Sequence, residues 1–268
     1  DRVGIAVNQH GEYVLMTGNE VGILLLNFIA QCKTELGTMP KDPVAVTTIV
    51  STDMVNGIAK DYGIEIRRTL TGFKYIGEQI GLLEKEGHPE RYVFGFEESY
   101  GYLSGTYVRD KDGVNASMLI CEMAAYYKKQ GKSLLDVLDA LYAEFGVYRH
   151  ILINAEFEGA EGMTTMHKLM ESLRENRPQE IAGLAVTRFS DYLASRSVDM
   201  RTGAETVLTL PKSNVLVFGL EDGAGVIVRP SGTEPKIKAY VTATGTDKAA
   251  AEAMAERLTD AAKELLKA

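Results

Sequence analysis

The chain is short of cysteine, of positive charge and of long apolar runs, and each shortage narrows what it can be. Cys32 and Cys121 are the only two cysteines in 268 residues, too few for a disulfide framework. Each sits in an apolar helical pattern, which predicts two buried free thiols in a reducing compartment, the cytoplasm by default. Lys and Arg number 29 against 37 Asp and Glu, a formal net charge of −8. No basic face is then expected to draw in nucleic acid or anionic lipid, so neither is expected as a partner, and an anionic ligand must be caught by a local basic pocket. The most apolar run, Ile23 to Ala30, falls far short of the ~20 residues of a membrane span and reads as a core helix. The opening "DRVGIAVNQH" has no initiator Met, basic start or cleavage pattern of a secretory signal. It begins inside a strand-like segment, so the sequence reads as cut from something longer. Internal repeats and low-complexity tracts are missing too, as is the G-x-x-x-x-G-K-[ST] loop of nucleotide triphosphatases.

What is present is ordinary globular composition, 45% hydrophobic and 25% charged, long enough for about two domains. "RVGIAV" and "YVLM" around Asn8-Gln9-His10-Gly11 predict a short hairpin, and Thr17 or Asn19 can cap a helix over 20–35. From Val44 the element types alternate: strand "VAVTTIV", helix 52–62 closed by Gly63, strand "IEIRRTL", helix 73–86 closed by Gly87, strand "RYVFGF". That alternation predicts βαβ units on a mainly parallel sheet. A Gly-rich loop over 99–113 leads to helices 114–130 and 133–145. A new unit begins near Tyr148 with "HILINAEF", helix 162–176 and the strands "GLAVTRFSDY", "VLVFGL", "GVIVRP" and "KIKAYVTAT", an α+β pattern. The last segment places Met254, Leu258, Ala261 and Leu265 on one helical stripe, which predicts a helix covering the final sheet. The fold class expected is therefore α/β: a mixed α/β domain with a largely parallel sheet, followed by a C-terminal α+β domain.

Three strand ends carry chemistry. In "VIVRPSGTEPKIKAYV", Arg229 offers a guanidinium fork and Ser231 and Thr233 offer hydroxyls. Gly232 lets backbone approach a ligand, and Pro230 and Pro235 stiffen the approach; together these are the parts of a phosphate grip. A plain hairpin loop would use the same turn residues, and composition weighs the two readings equally. In "GFEESYGYLSGTYVRDKDG", Glu97 and Ser99 are a carboxylate and a hydroxyl suited to vicinal sugar hydroxyls. Lys111, between Asp110 and Asp112, is suited to a phosphate or an anionic transition state. For Glu98 alone a solvated acidic loop is preferred. A glycosidase pair of neighbouring carboxylates is disfavoured, because adjacent residues of a strand point opposite ways. "RTLTGFKYIG" sets Thr71, Gly72 and Lys74 at a third strand-to-helix junction. His10, His88, His150 and His167 form no readable metal or catalytic spacing.

Together these segments resemble the α-D-phosphohexomutases, the phosphoglucomutase and phosphomannomutase family. "RPSGTEPK" is similar to that family's phosphate-binding loop, "GFEESYG" to its sugar-recognition loop and "TGFKYIG" to a further substrate-contacting segment, in the same order and over essentially the whole chain. The resemblance implies a C-terminal part of a four-domain enzyme: a remnant of the second domain over 1–15, a sugar-binding third domain over 16–150, and a phosphate-binding, TATA-box-binding-protein-like fourth domain over 151–268. It implies sugar contacts from Glu97 and Ser99, phosphate contacts from Arg229, Ser231, Gly232 and Thr233, and weaker contacts from Thr71, Gly72 and Lys111. Asp1-Arg2 matches the end of the family's D-x-D-x-D-R loop, so Asp1 would be one of three magnesium ligands and Arg2 would lie near the reacting phosphoryl group. The implied reaction interconverts hexose 1-phosphate and hexose 6-phosphate through a phosphoserine and a bisphosphate, with Arg2 and Lys111 in catalytic positions. The ligands implied are glucose 1-phosphate, glucose 6-phosphate and glucose 1,6-bisphosphate, with mannose phosphate second. The nucleophilic serine and two of the metal aspartates are absent from this sequence, so the chain alone is expected not to turn over. A pentose-phosphate mutase and a non-catalytic sugar-phosphate-binding module are the competing expectations.

Overall fold

The structure, a computed structural model, describes residues 1–159 and 161–267. The chain divides into two compact units, Asp1–Phe145 and Gly146–Ala268.

The first unit opens with the expected hairpin, β1 (Ile5–Gln9) and β2 (Glu12–Met16), paired antiparallel from Ile5–Met16 to Gln9–Glu12. Its loop is only His10-Gly11, and both residues have positive φ, +54° and +93°. This is the geometry of a two-residue turn that matches strand twist. Helix α1 (Gly18–Glu35) starts at Thr17, not Asn19: the Thr17 hydroxyl accepts from the Glu20 N–H and the Glu20 carboxylate accepts from the Thr17 N–H, a reciprocal cap. Asn19 is buried instead and accepts from the Thr52 N–H at 3.0 Å.

Strand β3 (Val44–Thr48), helix α2 (Met54–Tyr62), strand β4 (Glu65–Thr69), helix α3 (Phe73–Lys85) and strand β5 (Tyr92–Glu97) follow in the expected alternation. The sheet order is β4-β3-β5-β6, where β6 (Gly101–Leu103) folds back antiparallel on β5 while β3 pairs parallel with both β4 and β5. Every residue of β3 and β5 is buried, as a parallel sheet covered on both faces requires. On one face Phe73, Ile76, Ile80 and Leu83 of α3 pack against Val44, Val46 and Tyr92. On the α1 side, Gly22 lies against the Phe96 ring so closely that a Cβ would overlap it. Helices α4 (Gly113–Lys129) and α5 (Leu134–Phe145) complete the unit.

The second unit is built on antiparallel pairing. Its elements are β7 (Val147–Glu156), α6 (Gly162–Glu175), β8 (Glu180–Ile181), β9 (Leu184–Asp191), β10 (Arg196–Asp199), β11 (Glu205–Val207), β12 (Leu216–Leu220), β13 (Gly225–Pro230), β14 (Lys236–Gly245) and α7 (Lys248–Leu265). The strands run in the order β11-β10-β9-β12-β13-β14-β7, with β8 beside β9. Alternate residues Val226 and Val228 of β13 and Ile237, Ala239, Val241 and Ala243 of β14 join the core with α6 and α7. On α7 the buried stripe is Ala251, Ala255, Leu258 and Ala262. Met254, Ala261 and Leu265 flank it half-buried.

One expectation is corrected. Cys32 is half-buried, but Cys121 is exposed. Helix α4 buries Ala116, Ile120, Met123 and Tyr127, and Cys121, one residue on from Ile120, is turned about 100° away from that stripe. Both thiols are free. Among the described residues no helix is long and apolar enough to cross a membrane.

Candidate functional site

Because β3, β4 and β5 run parallel, their C-terminal ends share one edge of the sheet, where open α/β sheets place ligand contacts. Thr71-Gly72 follows β4 and the Glu97–Ser99 segment ends β5, so the topology sets two of the three predicted segments on that edge. Gly72 is the N-terminal cap of α3 with φ +119°, a conformation that favours glycine. Thr71 beside it is half-buried.

Glu97 is buried, with 6% exposure, and its carboxylate lies against Gly101: a Cβ on Gly101 would come within 2.9 Å of both Glu97 Oε1 and Lys111 Cδ. The bare glycine thus lets a carboxylate and a lysine stem converge over it. Lys111 Nζ is 3.1 Å from Asp1 Oδ1, 3.0 Å from Asp110 Oδ1 and 5.9 Å from the Phe73 ring centre. Phe73 directly follows Gly72, so Lys111 reaches from the Glu97 side to the Thr71-Gly72 junction. The Lys111 ammonium donates to Asp110 and holds that carboxyl below its usual range. Asp112 caps α4, accepting from the Val114 and Asn115 N–H groups and from the Tyr107 hydroxyl at 2.8 Å. These bonds, the Asn115 N–H foremost, lower the Asp112 pKa, while burial and the Asp112 carboxylate push Tyr107 up to about 12.

Ser99 sits half-buried in the turn between β5 and β6, beside Tyr100 with φ +68°. The Tyr100 carbonyl accepts from the Val3 N–H at 3.1 Å, which ties the start of the chain to this turn. Arg2 is exposed. Glu98, expected as a solvated carboxylate, instead points away from Glu97 and accepts from the Thr48 hydroxyl at 3.2 Å. Motif and composition do not single out Thr48 and Ser51, whose hydroxyls are 2.8 Å apart at the end of β3. The signal that could find them is a group of four hydroxyl residues, Thr47, Thr48, Ser51 and Thr52, at a strand end.

In the second unit, residues 231–235 connect β13 to β14. Ser231 Oγ accepts from the Thr233 and Glu234 N–H groups at 3.4 and 3.3 Å, and the Ser231 N–H donates to the Lys236 carbonyl at 2.7 Å. Arg229 is paired in register with Lys238. Val226 and Val228 alternate into the helix-covered core, so Arg229 and Lys238 share the opposite face, two cations side by side. Gly232 is exposed, has no positive φ, and a Cβ there would meet nothing within 4 Å. Neither backbone conformation nor packing room demands a glycine at 232.

Among the described residues no group of three or more His, Cys, Asp or Glu side chains could hold a metal ion. Magnesium takes six oxygens, usually one or two of them carboxylates with water and phosphate completing the shell. Asp1 supplies one carboxylate, and that one is ion-paired with Lys111. The residues of this chain do not by themselves fit a magnesium site.

Comparison with known proteins gives matches to both units. Residues 17–145 match the family described as "Phosphoglucomutase/phosphomannomutase, alpha/beta/alpha domain III", and residues 152–261 match its C-terminal domain. A phosphoglucomutase of Staphylococcus aureus is 38% identical over 243 residues, which cover 90% of this chain and 43% of that protein. The chain thus spans less than half the length of that relative. Among solved structures, the open form of the Paramecium phosphoglucomutase pp63/parafusin superposes with a TM-score of 0.65 at 19% identity, over 97% of this chain and 42% of that one. A Burkholderia thailandensis protein of the same family gives 0.54 at 14% identity, over 98% and 44%. An Aspergillus fumigatus N-acetylphosphoglucosamine mutase, solved with glucose 1,6-bisphosphate, gives 0.50 at 14% identity, over 98% and 46%. At these identities the structures show the fold.

Proposed function

Since the chain belongs to the phosphoglucomutase/phosphomannomutase family, we propose that it supplies the sugar-reading and phosphate-holding parts of a phosphohexomutase. The observation that carries this is the convergence of the buried Glu97 carboxylate and the Lys111 stem over Gly101, on the edge where the parallel strands end. A carboxylate in that position accepts hydrogen bonds from ring hydroxyls, and a hydroxyl two residues on, Ser99, both donates and accepts. Thr71 and the open backbone at Gly72 border the same edge. Lys111 offers an ammonium to a phosphoryl group that gains charge during transfer, and Arg2 follows Asp1, the ion-pair partner of Lys111. In the second unit, Arg229 grips two oxygens of a phosphate, with Ser231, Gly232 and Thr233 shaping the loop around it.

In the reaction proposed for the whole enzyme, a phosphoserine passes its phosphoryl group to a hexose monophosphate hydroxyl. The new O–P bond gives a bisphosphate, and after the sugar reorients, its other phosphate returns to the serine. This is chemistry of positioning and charge neutralisation. Glucose phosphates are the favoured ligands, supported by the name of the Staphylococcus aureus relative and by the bisphosphate bound in the Aspergillus protein. Magnesium belongs to this proposal as an ion to which the chain contributes Asp1 alone. The chain by itself should not turn over, and its two free thiols favour a reducing, cytoplasmic setting.

Isothermal titration with glucose 1-phosphate and with inorganic phosphate tests the reading. Both should bind the wild-type chain. Arg229→Ala removes charge-assisted bonds, and such bonds contribute about 1.5–3 kcal/mol each, so it should weaken both ligands by roughly 10- to 100-fold. Glu98→Ala should leave inorganic phosphate unaffected. Absence of glucose 1-phosphate binding, or equal phosphate affinity for Arg229→Ala and wild type, would overturn the assignment. Measurable turnover would overturn the claim of inactivity.

A further inference from the structure

We infer that the hydroxyl pair Thr48–Ser51 is a positioning device for the sugar-reading turn and acts through Glu98; the inference rests on the sugar-reading role proposed above. Glu97 and Glu98 leave the end of β5 in opposite directions. Glu97 turns to Gly101 and Lys111, and Glu98 turns to β3, where it accepts from Thr48 Oγ at 3.2 Å. A threonine has one hydroxyl proton. With that proton given to Glu98, Ser51 must be the donor in the 2.8 Å contact with Thr48, which makes a directed relay that ends on a carboxylate. Thr48 is fully buried, and Ser51 is 6% exposed.

The donor end of the relay is itself fixed. The Ser51 N–H donates to the Thr48 carbonyl at 3.2 Å. The Arg68 guanidinium donates to the carbonyls of Thr48 and Ser51 at 3.2 and 3.1 Å and pairs with Asp53 at 2.6 Å. The turn it acts on carries strain, because Tyr100 holds φ +68°, an uncommon region for a bulky residue that persists only where the surroundings enforce it. Gly18 packs directly under the Glu98 carbonyl, and the Tyr100 carbonyl accepts from Val3. The side chain of Glu98 is thus a tie between this turn and the sheet from the β3 side.

Neighbouring Thr47 shows the ordinary alternative. It is also buried, and its hydroxyl donates to the Phe96 backbone carbonyl at 2.9 Å. A buried hydroxyl normally satisfies itself in that way. Thr48 is directed at a side chain of the recognition turn, where an apolar residue would fill the space without the cost of burying polar groups.

The test uses the intact chain and four variants: Thr48→Val, Thr48→Ser, Ser51→Ala and Thr47→Val. Thr48→Val removes the relay at nearly constant shape. It should weaken glucose 1-phosphate about three- to tenfold, part of the roughly 10- to 100-fold that a full charge-assisted bond represents. Inorganic phosphate affinity should stay unchanged. Ser51→Ala should act in the same direction, Thr48→Ser should restore wild-type affinity within about twofold, and Thr47→Val should lower stability without changing the ratio of the two affinities. Amide exchange over 97–103 is read in parallel, and should speed up in Thr48→Val and return to wild-type rates in Thr48→Ser. Unchanged exchange in Thr48→Val, or equal loss of both ligands, overturns the positioning role. Failure of the wild type to bind glucose 1-phosphate instead sinks the sugar-reading role, while the exchange arm still decides whether the relay orders the turn.

Discussion

Gly18→Ala sets one methyl group against the backbone of the recognition turn. A Cβ at 18 would overlap the Glu98 carbonyl oxygen and lie 2.8 Å from both the Glu98 carbonyl carbon and the Tyr100 nitrogen. Carbon contacts become favourable at about 3.5 Å, so helix and turn must separate by roughly 0.7 Å or more. The atoms in the way are backbone, which no rotamer change can clear. Overpacking of this kind costs about 1–3 kcal/mol. The helical preference for alanine, up to about 1 kcal/mol in a helix interior, offsets little of that at the first helical position. Gly81 is the control: it lies inside α3, has no positive φ, and a Cβ there meets nothing within 4 Å, so Gly81→Ala should stabilise by roughly 0.5–1 kcal/mol. The same substitution then has opposite signs in two helices of one unit. Urea unfolding of the first unit, followed by pulsed hydrogen exchange, reads the stability difference, and titration with glucose 1-phosphate should show about tenfold weaker binding for Gly18→Ala alone, since ångström-scale misplacement of a recognition group can cost up to about a hundredfold. A Gly18→Ala chain as stable as wild type with undiminished affinity would refute the packing argument.

Three further outcomes are expected. Arg174→Ala should destabilise the second unit by about 3–5 kcal/mol, because it strips the cation from Asp191, which is 1% exposed, is bonded to Arg174 Nε at 2.8 Å and would keep the Leu193 and Ala194 N–H groups as neutral donors; a loss under about 1 kcal/mol, the level of an exposed pair, would contradict this. Asp112→Ala should lose stability in a pH-dependent way. The folded pKa of Asp112 lies below its unfolded value, so its contribution is present above about pH 4 and fades as pH falls through the folded value; a wild-type-to-variant gap that widens in acid would reverse the sign and refute it. With iodoacetamide at pH 8, exposed Cys121 should be alkylated before Cys32, whose thiol is half-buried and raised in pKa by burial and by Glu35 and Glu122. Mass spectrometry of peptides quenched over time decides the order, and equal rates would count against it.

Local signals in the sequence are legible where a short-range rule decides the outcome. Thr17 and Glu20 spell a reciprocal cap, His10-Gly11 marks a turn, and the apolar blocks of β3 and β5 announce a doubly covered parallel sheet. Strand β6 is hidden inside a Gly-rich loop because three residues, Gly101–Leu103, are too few to show a period. Cys121 escapes its expected burial because one helical position separates a buried from an exposed face, and an apolar pattern alone does not fix the phase of that face. The candidate residues Glu97, Ser99, Lys111 and Arg229 are visible by type and motif, whereas the Thr48–Glu98 link joins positions 50 residues apart and comes only from the register of β3 against β5. Gly18 and Gly101 are unreadable for the same reason. Their value is the space they leave for distant atoms.

The ladder between β7 and β14 carries a cost during synthesis. The two strands pair along their whole length, Val147 with Gly245 through Glu156 with Lys236. At about 5–20 residues per second, the roughly ninety residues from Val147 to Lys236 take about 4–18 s to emerge from a ribosome. For that interval a ten-residue strand waits with no mate along the edge that β14 will occupy. Nascent second units are therefore the stage at which holdase chaperones should matter most, and crowded polysomes are where stray strand exchange between neighbouring copies would begin.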